Sequence, residues 1–133
     1  MKIKYNKDYY ENGLAKGLSC YENYRWIPEL TYPMAHAICS SLKIKKNDKV
    51  LEYGCAHGFL VKALNDFKID AYGVDISSYA LSKVDIGIKK KTSLLKDNNI
   101  KNSLKKMKVK FKFDHIISKD VFEHIEPKDL KKY

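Results

Sequence analysis

"VLEYGCAHGFL", Val50 to Leu60, decides how this chain is read. An apolar, β-branched start leads through two glycines into residues at helical spacing. Leu60, Ala63, Leu64 and Phe67 recur on one face of a helix. The stretch predicts a strand over Lys49–Tyr53, a tight loop, and a helix that begins near His57 or Gly58. "DAYGVD", Asp70 to Asp75, predicts the next strand, and Ser77 the N-cap of a helix carrying Ala80, Leu81 and Val84. One acid, Glu52, precedes the first glycine, and another, Asp75, ends the second strand.

Downstream, "TSLL" at Thr92–Leu95 predicts a third strand, and Asn98 onward a loop or short helix. "KVKFKF" alternates lysine with apolar residues, which predicts a strand with one solvated basic face. "FDHIIS" reads as a buried strand; a helix is expected from about Asp120, and another from Pro127. Upstream, Pro33 suits the first turn of a helix whose apolar face is Met34, Ile38 and Leu42. The lead-in carries Tyr5, Tyr9, Tyr10, Tyr21 and Tyr24. Tyrosine rings pack while their hydroxyls stay wet, so an ordered lid is expected rather than a loose tail. Strands alternating with helices give an α/β fold, a parallel sheet with helices on its faces and right-handed crossovers.

With 133 residues the chain suits one domain and one core. A hydrophobic share of 44% with 32% charged places it among globular rather than disordered chains. "MKIKYNKDYY" lacks the apolar run of a secretory signal, and no stretch approaches the roughly 20 residues of a membrane helix. Cys20, Cys39 and Cys55 form no C-x-x-C, which reads as free thiols in a reducing cytoplasm. His36, His57, His115 and His124 have no metal-ligand spacing, so no metal is expected. The net charge of +10 comes from lysine, with Arg25 the lone arginine. Specific nucleic-acid readers lean on arginine, so a solvated basic surface is preferred to a nucleic-acid partner.

In a doubly wound sheet the ligand lies outside the carboxyl ends of the strands. Gly54 and Gly58 remove Cβ atoms there, and Ala56 is nearly as small. Asp75 is placed to accept hydrogen bonds from ribose hydroxyls. The dinucleotide pattern G-x-G-x-x-G fails, because its last position, counted from Gly54, is the bulky Phe59. Glu52 would also repel a pyrophosphate. It suits an ammonium or a sulfonium, and S-adenosylmethionine carries both.

"VLEYGCAHGFL" resembles motif I of class I S-adenosylmethionine-dependent methyltransferases; "YGVDIS" resembles the motif that follows, and "FDHIISKDVFEHI" is similar to the segment on their fourth strand. These motifs span Val50 to Ile125, and "CYENYRWIPELTYPMAHAI" resembles the segment before motif I in some small-molecule methyltransferases. The resemblance implies a Rossmann-like sheet in the order 3-2-1-4, with residues 1–45 as a helical, Tyr-rich extension and 46–133 as the cofactor-binding core. It implies that Glu52 holds the methionine ammonium, that Gly54, Cys55, Ala56 and Gly58 line methionine and ribose, that Asp75 binds the ribose and Ile76 packs on adenine. Asp97 and Asn98 stand where the family reads the adenine amino group, or Asp97 is only a loop acid. Ser118, Lys119 and Asp120 border the methionine end and the acceptor pocket. His124 is either a general base or a packing residue. Tyr24 and Arg25 either hold the cofactor carboxylate or acceptor, or anchor the lead-in. Cys55 has no His–acid pair with it and reads as a small loop residue.

The function implied is methyl transfer to a small-molecule acceptor, a metabolite, a sugar or a lipid-linked group, in the cytoplasm. The alternatives are a nicotinamide oxidoreductase, opposed by Phe59 and Glu52, and a basic protein that binds or methylates nucleic acid, opposed by "SKDV" where an NPPY-like motif would stand. The family sheet continues beyond a fourth strand. The expectation is therefore a partial methyltransferase, impaired in transfer, that self-associates through the edge of its fourth strand.

Overall fold

The computed structural model describes residues 4–132. Helices α1 (Lys7–Glu11) and α2 (Pro28–Leu42) lead into β1 (Lys49–Tyr53), α3 (Phe59–Asp66), β2 (Asp70–Asp75) and α4 (Ser78–Ser82). A 3-10 helix, Ile86–Lys91, then precedes β3 (Thr92–Leu94), α5 (Ile100–Lys106) and β4 (His115–Ile117). Two further 3-10 helices follow, Phe122–His124 and Pro127–Lys132. The four strands form one parallel sheet in the order β3-β2-β1-β4, as the resemblance implied. No described helix is long and apolar enough to cross a membrane.

β1 lies between β2 and β4 and is buried on both faces. Val50, with Ala71 and Ile117, packs under α2, α3 and α4. Leu51, with Val74, packs under α5 and the chain that follows it. Leu51, Leu64, Val50, Val61 and Val74 are almost fully buried; each contributes about 1.5–3 kcal/mol of transfer free energy. Glu52 follows Val50 on the α3 face, between Gly73 of β2 and Ile117 of β4.

Several local expectations are corrected. Pro28, not Pro33, occupies the first turn of α2, and Pro33 lies inside that helix. Pro33 has no N–H for the Glu29 carbonyl, but both residues lie on the exposed side. The buried face of α2 is Thr31 and Ala35, flanked by Met34 and Ile38, while Leu42 is 47% exposed. Lys43 turns left-handed at the helix end, so Ile44 takes the next core position. Ser77 does cap α4, through Ala80 N–H, but the helix stops at Ser82, before Val84. "KVKFKF" forms no strand: the chain bends at Phe111 and packs Val109 and Phe113 against Leu51 and Val74 of the sheet, with the Phe111 and Phe113 rings 5.5 and 5.8 Å from Tyr72. Its alternation reports one covered face, with Val109, Phe111 and Phe113 half-buried and the lysines between them exposed, which is the period a strand would also show. In "FDHIIS" only three residues pair, and Ile116 is 68% exposed, so the strand is not buried on both faces. The helix expected from Asp120 is a single 3-10 turn, Phe122–His124.

Gly73 has a packing role that the sequence reading did not assign. A Cβ there would stand 2.7 Å from Cys55 Sγ and 2.9 Å from Val61 Cγ2, both buried. Gly73→Ala is expected to cost roughly 1–3 kcal/mol through overpacking, measured by urea denaturation, and to displace the loop that carries Cys55.

Candidate functional site

The loop from Gly54 to Gly58 turns over the carboxyl ends of β1 and β2. Gly54 and Cys55 donate their N–H groups to Val74 O at 2.8 and 3.0 Å, and Gly58 N–H bonds Cys55 O at 2.7 Å. Gly54 (φ 85°) and Gly58 (φ 73°) are left-handed, and Gly58 caps α3. Ala56 is left-handed as well (φ 48°), a conformation that costs an L-residue roughly 1–2 kcal/mol. The Ala56 N–H bonds Asp75 Oδ2 at 2.7 Å, which holds the residue there.

Asp75 accepts a second bond, from Ser77 N–H to Oδ1 at 2.7 Å. Burial raises its carboxyl above the usual range, and these backbone N–H groups pull it back. Glu52 is 5% exposed, and its Oε2 has no hydrogen-bond partner among the described residues. Burial pushes its carboxyl up to about 8; Lys119 draws it down, Asp75 pushes it up, and the Val61 N–H in the first turn of α3 draws it down. A buried carboxyl with an unpartnered oxygen fits a cation, because an ammonium would supply the missing donor.

The remaining residues fall at different distances from this pair. Ile76, 54% exposed, follows Asp75 at the end of β2. Cys55 is buried against Gly73, which pushes its thiol well up; that suits a packing residue and not a nucleophile. Ser118 Oγ donates to Tyr53 O at 3.2 Å, tying the end of β4 to the end of β1. Lys119 and Asp120 pair with each other, both exposed. Asp97 and Asn98 are exposed and left-handed in the turn after β3, at the same end of the sheet. Asn99 caps α5. His124 is exposed and meets the Tyr5 ring edge-on at 6.2 Å. Arg25 is exposed and donates to Asn23 O at 3.3 Å. Tyr24 stacks on Phe59 at 5.0 Å; its phenol is raised by burial first, then by Tyr21 and Glu52.

Three residues of this site were not singled out in the sequence. His57 lies in the glycine loop, 5% exposed, with Nδ1 unpartnered among the described residues. The Tyr10 and Tyr24 rings each stand 4.8 Å from it. Burial holds its imidazole down at about 4, and Lys83 adds to that. Tyr10 is 4% exposed, its phenol raised by burial and then by Asp75. Val121 packs its methyl onto Gly54, where any Cβ would collide. The tyrosine-rich lead-in thus forms an ordered strap over the loop. Ser77 Oγ bonds Tyr5 O at 2.5 Å, Tyr79 bonds Glu11, and Tyr24 N–H bonds Tyr10 O at 2.9 Å. Its tyrosine density was the available signal; which rings reach the loop depends on the folded path.

Two outcomes test this geometry. Ala56→Gly should stabilise the chain by about 1 kcal/mol by relieving the left-handed strain, read as a raised urea midpoint. Glu52 keeps its proton in the folded chain up to about pH 8, whereas unfolded it loses it near 4.5. Stability should therefore fall as pH rises through that window and stay low above it. Glu52→Gln should flatten the fall and raise the melting temperature at neutral pH, followed by calorimetry across the same range.

A family model described as a methyltransferase domain matches residues 26–132. That span includes every strand and the whole glycine loop. No curated protein matches the chain significantly. The parallel strand order 3-2-1-4, the acids at the ends of β1 and β2 and this match agree: the chain belongs to the methyltransferase-domain family and is an S-adenosylmethionine-dependent methyltransferase.

Proposed function

We propose that the chain holds S-adenosylmethionine across the carboxyl ends of β1 and β2 and methylates a small molecule, a metabolite, a sugar or a lipid-linked group. The observation that carries this reading is the buried, unpartnered Glu52 Oε2 beside Asp75. In it Glu52 takes the methionine ammonium and Asp75 the ribose hydroxyls. The backbone of Gly54, Cys55, Ala56 and Gly58 lies along methionine and ribose, Ile76 meets the adenine, and Asp97 with Asn98 reaches its amino group. Ser118, Lys119 and Asp120 border the methionine end. Residues 1–45 act as the lid and 46–133 as the core, in a cytoplasmic protein whose three cysteines are free.

When bound, the cofactor supplies a sulfonium methyl open to in-line displacement. The protein's share is to orient and to exclude water. Tyr10 and Tyr24 cover the loop, and Val121 closes over Gly54. His124 is the candidate base for a hydroxyl or amine acceptor; its exposure leaves it open to a substrate proton. Tyr24 adjoins the carboxylates and is the nearer candidate for an acceptor contact; Arg25 anchors the strap through Asn23. Self-association through β4 belongs to the same reading, supported by exposed Ile116 on that edge strand.

Calorimetric titration with S-adenosylhomocysteine tests the cofactor half. Saturable binding is expected, weakened at least about tenfold by Glu52→Gln, in line with a lost charge-assisted bond. Asp75→Ala should abolish it, and Asp75→Asn, which keeps one acceptor for the loop, should weaken it in a folded chain. A folded chain that does not bind rejects the reading.

A further inference from the structure

The net charge of +10 is not spread over the chain. Residues 83–112 hold eleven lysines and two aspartates, so this segment carries nine of the ten net positive charges. Elsewhere fifteen basic and fourteen acidic residues nearly cancel. A general lysine bias in composition would not remove acids from one segment alone. Of its lysines, only Lys91 forms an ion pair among the described residues, with Asp70 at 2.8 Å, and the other ten are exposed.

The fold places four of these lysines, Lys89, Lys96, Lys105 and Lys106, around the open edge of β3. Two adjoining grooves of about 290 and 380 Å³ run there, with Lys96, Lys105 and Lys106 along one and Lys89 and Lys106 along the other. Ser82 and Thr92 add hydroxyls, and no acid lines either groove. The 3-10 helix that carries Lys89, Lys90 and Lys91 begins at Ile86, 89% exposed and the most exposed large apolar side chain among the described residues.

From this arrangement we infer that the β3 edge docks on an anionic phospholipid bilayer, with the lysines facing lipid phosphates and Ile86 entering the headgroup layer. A basic face with a projecting apolar residue combines the two attractions of peripheral membrane contact, charge and shallow burial. A nucleic-acid strand fits less well. The segment has no arginine, and its one aromatic ring, Phe111, is half-buried against Tyr72, so no exposed ring is left to stack on a base. The surface adjoins the candidate site: Leu94 pairs with Asp75, and Leu95 N–H bonds Asp75 O at 2.8 Å. The inference does not depend on which acceptor is methylated.

Flotation of the full chain with vesicles tests it, comparing phosphatidylcholine alone with phosphatidylcholine mixed with phosphatidylglycerol. Binding is expected to the mixed vesicles only, and to fall as salt rises. The triple change Lys96→Gln, Lys105→Gln and Lys106→Gln should weaken it about a hundredfold. The matched change Lys45→Gln, Lys46→Gln and Lys68→Gln removes the same charge elsewhere and should leave most of the binding. Ile86→Ser should weaken it several-fold and leave the salt dependence unchanged. Equal losses from the two triple changes would overturn the inference, since net charge alone would then explain attachment. So would a folded chain that ignores the mixed vesicles, or one that binds oligonucleotides in their place.

Discussion

The carboxylate of Asp75 is the point at which this structure is tied together. It takes the Ala56 N–H from the loop after β1 and the Ser77 N–H at the start of α4. One buried acid thus fixes the glycine loop against β2, holds Ala56 in a strained conformation, and sets Ser77 to cap α4 and to anchor the strap. Such strain persists only where its surroundings over-determine it. Gly73 completes the arrangement by leaving room for Cys55, so loop and strand meet without a gap.

Glu52 shows the opposing tendency. Val50 and Leu51 before it in β1 are apolar and buried, and it shares their burial without a partner for Oε2. In stability alone a glutamine or an apolar residue would serve better at this place. A polar group kept at a cost to the fold is what a binding site for a cation requires. The strap adds to the enclosure: its tyrosines pack on one another and on His57, which removes water from around both carboxyl groups and strengthens any charge pairing made there.

Much of this was legible in the residues. The bounds of β1 and β2 follow from apolar runs ending at glycine or acid, and the Ser77 cap from its chemistry. The misread parts share a cause. "KVKFKF" has the period of a strand because alternate residues face a covered surface, and only a pairing partner separates the two. Pro33 looked like a helix start because Pro28, five residues earlier, lacked an apolar pattern to mark it. The turn after Asp120 tightened to 3-10 geometry while its Val121 packed on Gly54.

The sequence by itself determined the strand–loop–helix units, the two acids at the ends of their strands, and the family, because each rests on residues close together in the chain. Only the tertiary structure decided that Glu52 keeps an unpartnered oxygen, that His57 is boxed by Tyr10 and Tyr24, and that Lys89, Lys96, Lys105 and Lys106 meet at one edge of the sheet. Those are properties of burial and of contacts between distant segments. Local spacing does not encode them, because they depend on which surfaces meet once the chain has folded.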